Sequence, residues 1–352
     1  MPSPTVAVLV RTKDRPRFLR RALANIAEQT FTDYTVCVIN DGGDESATRA
    51  ILQASPLAHL LEGDAPRLML LTTGGGNMEA ASNAGLAATD SEFVAIHDDD
   101  DLWAPEFLER TVGALRASEA LICSTRVVER YECETPEGEF EVYEERIFHD
   151  GLPGFGLQFL YRTNRTVPIG ILYRRRLHEL VGFYDESLPV VGDWEFNLRA
   201  AAVTEVLLVD EPLAYWSLRP EADGAEANSV QRQAEHARFD ASVRARAIRD
   251  DLQSGGRPGP YLYQAHLMAD LERRVIDGHD LTRESLDLLR SLGERLERIE
   301  ARQAAMDARQ RELEARFAAD RSRGRGALRT LSSAARSLAR RMRSATPHGE
   351  GR

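Results

Sequence analysis

Four short apolar runs, TVAVLV, YTVCVIN, RLMLLT and EFVAIH, punctuate the first 125 residues, and longer stretches of helical spacing lie between them. In RPRFLRRALANIAEQ the spacing puts Phe18, Leu19, Ala22, Leu23 and Ile26 on one face. ESATRAILQAS, EAASNAGLAAT and PEFLERTVGALRAS follow the same period. A strand that is apolar at every position, rather than at every second one, is buried on both faces. Strand–helix alternation of this kind predicts an α/β fold: a mainly parallel central sheet flanked by helices. Ligands of such sheets bind outside the carboxyl ends of the strands. VINDGG and AIHDDDD are both strand ends, so their acids are expected to meet in one crevice.

Beyond residue 125 the pattern loosens. ERYECETPEGEFEVYEERIF reads as a charged hairpin turning near Pro136-Glu137-Gly138. GILYRRRLHELVGFYDESLPVVGDWEFNLRAA reads as strand, short helix, loop and helix, and VTEVLLVDEPLAYWSLRP as two closing strands. After about residue 222 the strand signals stop. A helix is expected over roughly 228–251, followed by the linker SGGRPGP. The division is therefore a domain over 1–222, a helical extension over 223–253, a linker over 254–260, a helical region over 261–320 and a tail over 321–352.

Leu289, Leu292, Leu296, Ile299, Gln303, Met306, Gln310, Leu313 and Phe317 step by three and four, with charges flanking them. This all-α extension reads as a coiled coil, hence a homo-oligomer, with Gln303 and Gln310 setting register at some cost in stability. A single amphipathic helix folded back on the body is the alternative. In the tail Leu328, Leu331, Leu338 and Met342 share a face among arginines. A basic amphipathic helix of this kind reads as peripheral membrane contact, and a disordered tail is the alternative.

Charge narrows the partners. The formal net charge is −11, yet residues 321–352 hold nine arginines and one glutamate, which leaves the first 320 residues at −19. An acidic body argues against nucleic acid as the main partner. Cys37, Cys123 and Cys133 are odd in number and have no metal-type spacing, so disulfides and zinc are not expected and a reducing compartment fits. MPSPTVAVLVRTKD is too short an apolar run for a signal peptide, and no segment approaches the roughly 18 apolar residues of a membrane span. A cytoplasmic protein, able to lie on the inner face of the membrane, is expected.

Four consecutive aspartates, Asp98 to Asp101, need a reason. Hard divalent cations take oxygen ligands, and Mg²⁺ is commonly held by one or two carboxylates plus substrate phosphates; Mn²⁺ accepts similar ligands. Asp98 and Asp100, two apart at a strand end, can both reach one ion. Asp99 is then a spacer, and Asp101 serves the turn into a helix that Pro105 starts. A solvated acidic loop is the bland alternative. GGGN at 74–77 is followed by no GxxxxGK(S/T), no GxGxxG follows the first strand, and no GxSxG occurs.

FVAIHDDDDLWAPEFLE resembles the strand, aspartate cluster, aromatic and proline-led helix of glycosyltransferase family 2, inverting nucleotide-sugar enzymes with a GT-A-type, Rossmann-like fold. Three further segments resemble the family in the right order: AVLVRTKDRPRFLRRALANIAEQTFTDYTVCVINDGG, GGGNMEAASNAGL and GFYDESLPVVGDWEFNLRAA. Together they cover roughly residues 5–220. The resemblance implies a UDP- or dTDP-sugar donor and a glycan or lipid-linked acceptor. It implies that Asp41 accepts from the imide N–H of the base, and that Thr12 and Arg15 lie near the nucleotide. It implies that Asp98 and Asp100 face the ribose and a Mn²⁺- or Mg²⁺-bridged diphosphate, and that Asp193 is the general base.

The chain also departs from that pattern. Gly192 stands before Asp193 where the family usually has Glu, with Glu195 as a neighbouring alternative base. Ser82 replaces an arginine, while Asn83 and Gly85 keep the pattern, and the resemblance puts Asn83 at the nucleotide sugar. Arg219 stands where many members have a histidine that can reach the metal; it cannot ligate, but it can hold a diphosphate. His97 reads as structural, and Trp194 as either a sugar-stacking or a core residue. The lost Glu, Arg and His positions support a second reading, a degenerate domain serving as a coiled-coil scaffold. Intact Asp41, Asp98, Asp100 and Asp193 oppose it. A nucleotidyltransferase has only RTKDRPR as a faint phosphate-binding signature.

Overall fold

A computed structural model describes residues 3–135, 138–151, 153–222 and 233–343. The chain divides into two compact units, Met1–Ser254 and Gly255–Arg352. The first opens with β1 (Val6–Thr12), α1 (Pro16–Ala27), β2 (Tyr34–Asp41), α2 (Glu45–Ala54), β3 (Leu68–Thr73), α3 (Met78–Ala88), β4 (Phe93–Asp98), β5 (Leu102–Trp103) and α4 (Phe107–Arg116). There follow β6 (Ile122–Glu134), β7 (Phe140–Ile147), α5 (Leu157–Leu160), β8 (Ile171–Arg174), α6 (Leu177–Val181), α7 (Gly192–Val203), β9 (Val206–Leu218) and α8 (Gln233–Gln253). The second unit holds α9 (Gly259–Arg343).

The strands form one sheet in the order β3-β2-β1-β4-β8-β6-β9-β5, with β7 paired to β6. The four strands anticipated from the apolar runs make its parallel half, β1 pairing with β2 and β4, and β2 with β3. The other half is mixed: β8 is antiparallel to β4 and β6, while β6 and β9 are parallel. The hairpin is present as β6 and β7; of its expected turn Pro136 and Glu137 lie outside the described residues, and Gly138 sits at φ 85°. The two expected closing strands are a single one, β9. Its register slips between Val209 and Pro212, so Asp210 and Glu211 are absorbed as a bulge instead of ending the strand.

Alternate residues of β1 feed two cores. Val6, Val8 and Val10 pack with Leu19, Leu23, Ile26, Phe107 and Leu108 from α1 and α4. Ala7 and Leu9 pack with Ala81 and Leu86 of α3 and Phe196 and Ala200 of α7. Each large side chain buried this way contributes about 1.5–3 kcal/mol over its exposed state. The α3 face fits closely: a Cβ on Gly85 would come within 2.9 Å of Ile39 and 3.1 Å of Leu9. Gly85→Ala is therefore expected to cost about 1–3 kcal/mol by overpacking, measurable as a lower urea midpoint at unchanged slope.

Further along, the boundaries shift. The helix expected over 228–251 is α8; residues 223–232 lie outside the described residues. The linker is shorter than 254–260, because α9 already begins at Gly259. The helical region and the tail as far as Arg343, read as separate, form one helix of 85 residues, and residues 344–352 lie outside the described ones. Leu289, Leu292, Leu296, Ile299, Met306, Leu331 and Leu338 are exposed along it. The side chains of Leu313, Phe317, Leu328 and Met342 lie outside the described ones. Among the described residues no helix is long and apolar enough to cross a membrane.

Candidate active site

The parallel register aligns three strand ends. Arg11 pairs with Asp98, Thr12 with Asn40, and Asp41 with Thr73. Asp41 is oriented by the Thr73 hydroxyl, which donates at 2.6 Å, and by the Gly76 N–H at 3.2 Å. The turn after it needs Gly42, at φ 80°, where a Cβ would also come 3.1 Å from Gly75 Cα.

The four aspartates are separated by their partners. Asp98 accepts from Arg11 Nε at 2.8 Å and Nη2 at 2.6 Å, both on Oδ1; among the described residues its Oδ2 carries no hydrogen bond. Asp99 accepts from the Thr12 hydroxyl at 2.7 Å and pairs with Arg15 at 2.9 Å. Asp100 Oδ2 accepts from Arg15 at 2.8 Å and from Arg219 Nη2. Asp101 accepts from the Ser217 N–H at 2.9 Å, pinning β9. That corrects the expected helix-turn role of Asp101: α4 starts at Phe107, beyond Pro105. Asp99 is likewise no idle spacer but the anchor of Thr12 and Arg15.

Burial and charge act on these groups in opposite directions. Burial alone would raise the Asp100 carboxyl, but Arg15 and Arg219 outweigh it and hold it below the usual range. Asp99, more deeply enclosed, is pushed up to about 7 by burial, against the pull of Arg15. Asp101 is raised well above the usual range by burial and by Asp100. Beneath them Arg219 lies 4.5 Å over the Phe18 ring and 3.6 Å from Glu132, which Arg21 also holds at 2.8 Å. His97 is fully buried, and its Nδ1 donates to the Asp98 carbonyl at 2.9 Å, which agrees with a structural role.

At the other end of the crevice α7 presents Asp193 in its first turn, and Asn164 Nδ2 donates to it at 2.8 Å. Burial raises the Asp193 carboxyl, partly offset by Asn164. The alternative base, Glu195, is spent on Arg199 at 2.7 Å and faces Arg246 at 3.8 Å. Val191, just before this turn, sits at φ 61°. A β-branched residue in the left-handed region costs on the order of 1–3 kcal/mol and is characteristic of functional sites. Trp194 is a core residue: it is 1% exposed and its Nε1 donates to the Leu160 carbonyl at 2.8 Å.

Two residues expected at the ligand make structural hydrogen bonds. Thr12 spends its hydroxyl on Asp99. Asn83 donates to the Tyr184 carbonyl at 2.9 Å and accepts from the Tyr184 N–H at 3.1 Å, tying α3 to the segment after α6. Sequence reasoning missed Arg11, Glu79, Glu132 and Asn164. Arg11, one charge in the apolar strand VAVLVRT, was the detectable signal. Its Nη1 donates to Ser82 at 3.2 Å, so a guanidinium does stand beside the serine, delivered from β1. Glu79 looked like an ordinary first-turn acid.

The family described as Glycosyl transferase family 2 matches residues 7–179. Residues 7–179 therefore carry a glycosyltransferase family 2 domain. Curated relatives agree. An uncharacterized glycosyltransferase YwdF of Bacillus subtilis is 25% identical over 56% of this chain and 68% of its own length. The succinoglycan biosynthesis protein ExoW of Rhizobium meliloti is 37% identical over 26% of this chain and 28% of its own length. Among solved structures, S. aureus TarS in complex with UDP-GlcNAc gives a TM-score of 0.47 at 17% identity, over 64% of this chain and 61% of that one.

The family 2 domain marks the chain as a glycosyltransferase, and members of that family commonly use a divalent metal. Among the described residues no group of three or more His, Cys, Asp or Glu side chains gathers around one point. A pair of carboxylates with substrate phosphates is nevertheless how Mg²⁺ is usually held. Asp98, with Oδ2 open, fits that donor set. Asp100 fits it once a guanidinium yields its Oδ2.

Proposed function

We propose that this glycosyltransferase moves a sugar from a UDP- or dTDP-type nucleotide sugar to an acceptor hydroxyl with inversion. One arrangement supports the reading most directly: Asp193 lines the same cavity as Arg11, and Arg11 grips Asp98 at the end of β4. Base and aspartate cluster thus share one end of the sheet. In this reading Asp41, fixed by Thr73 and Gly76, accepts from the imide N–H of the base. Thr12 acts through Asp99. Arg15 and Arg219 offer their positive charge to the diphosphate. Asp193 takes the acceptor proton on the face opposite the leaving diphosphate. Asp98 and Asp100 would hold Mn²⁺ or Mg²⁺, which when bound neutralises leaving-group charge.

ExoW is named for succinoglycan biosynthesis, and we extend that to a growing glycan or glycolipid as the acceptor class here. The apolar and basic faces of α9 are proposed to serve self-assembly and peripheral contact with the cytoplasmic face of the membrane. A thermal-shift screen of nucleotides and nucleotide sugars, with and without Mn²⁺, tests the donor. UDP or dTDP compounds are expected to raise the midpoint, since ligand at 100 times its Kd stabilises by about 2.7 kcal/mol. No response to any of them overturns the reading. Equal nucleotide-sugar hydrolysis by wild type and Asp100→Ala in Mn²⁺ overturns the metal assignment alone.

A further inference from the structure

Position 192 is a notch filled from elsewhere. A Cβ on Gly192 would lie 2.5 Å from Glu79 Cδ and 2.6 Å from Cγ, so the Glu79 carboxyl occupies the space into which a side chain at 192 would grow. Glu79 comes from the first turn of α3, yet it is only 3% exposed. Buried acids are rare unless paired. Here Oε2 has no hydrogen-bond partner, and neither has Asn197 Nδ2 on α7. Both residues line one cavity with Asp193, Arg11 and Tyr184. Its volume of about 10 Å³ has room for roughly one water, and it offers that water an acceptor, a donor and the wall of Asp193.

We propose that Glu79 is the positioning residue of Asp193: it enters the notch over Gly192 and, with Asn197, builds the polar wall that fixes the Asp193 carboxyl for proton abstraction. The proposal rests on Asp193 being the base. Charge is consistent with it. Burial, with Asp193 adding repulsion and Arg11 opposing, pushes Glu79 up to about 8, so near neutral pH it carries its proton. A protonated carboxyl can donate toward Asp193 without setting a second negative charge beside it. Gly192 is then explained as well, because only a residue without a side chain leaves the notch open.

The test is a set of exchanges in the full-length chain, read by melting temperature, UDP affinity and UDP-GlcNAc hydrolysis. Gly192→Ala alone should lower the melting temperature, and Gly192→Ala combined with Glu79→Ala should recover it. Glu79→Ala should lower kcat about 100-fold, the usual consequence of a misplaced catalytic group, while UDP affinity stays within about threefold. Glu79→Gln keeps a neutral donor and should stay within about threefold of wild type. Glu79→Ala with Gly192→Glu returns a carboxyl to the notch from the other side and should regain most of the kcat lost by Glu79→Ala. An unchanged melting temperature for Gly192→Ala overturns the shared notch. Wild-type kcat for Glu79→Ala, or no recovery in the exchanged pair, overturns the positioning role. Wild-type turnover by Asp193→Asn instead overturns the base assignment beneath it, so the two failures are distinct.

Discussion

Asp193→Asn is expected to lower sugar transfer about 10³-fold while UDP binds within threefold of wild type. The substitution is nearly isosteric, and the new amide oxygen can still accept from Asn164, which now donates to Asp193 at 2.8 Å. What is lost is basicity. The donor end stays intact, because Asp193 lies outside the pairings of Arg15 and Arg219 with Asp99 and Asp100. The pH profile gives a second readout. Burial raises the Asp193 carboxyl, so wild-type kcat/KM should fall with acid at a pH above the ordinary aspartate range. That limb should be absent from the residual rate of Asp193→Asn. A fall in kcat matched by a fall in UDP affinity would assign Asp193 to donor binding instead.

Arg219→Ala is expected to destabilise the first unit by about 3–5 kcal/mol, the usual result of removing one partner from a buried ion pair. Arg219 is 3% exposed and lies between Asp100 and Glu132, over the Phe18 ring. Its loss takes one guanidinium from Asp100, which keeps Arg15, and one from Glu132, which keeps Arg21 and Ser217, and it removes a cation from an aromatic face. Denaturation followed by tryptophan fluorescence reads this unit alone, since Trp103, Trp194 and Trp216 all lie within it. Arg219→Lys keeps the charge without the planar fork and should fall between the two. A change under 1 kcal/mol for Arg219→Ala would mean that Asp100 and Glu132 find water or other partners at no cost.

Much of the fold was legible because its signals are local. Uninterrupted apolar runs marked β1 to β4, and the 3.6-residue period marked α1 to α4. The mixed half was less so. β9 carries Asp210, Glu211 and Pro212 in its middle, which reads as a break, and only pairing with β6 holds it as one bulged strand. α9 read as two regions because its composition changes, whereas backbone helicity is indifferent to the sign of the charges along it. Asp41, Asp98, Asp100 and Asp193 were found as motif residues. Glu79 was not, since an acid in a helix's first turn is ordinary and nothing local says that it is buried.

The sequence by itself determined that four strand–helix units build a parallel sheet and that two acid-bearing strand ends meet at its carboxyl edge. Through its family resemblance it also marked the aspartates proposed here as base and metal ligands. Strand period and chain direction suffice for the sheet, because both are properties of neighbouring residues. Only the tertiary structure decided what each aspartate touches. Asp99 holds Thr12, Asp100 sits between Arg15 and Arg219, Asp101 pins β9, and Glu79 fills the notch over Gly192. These partners lie 85 residues or more from the aspartates they meet. Strand order and register bring them together, and no spacing within the chain encodes either.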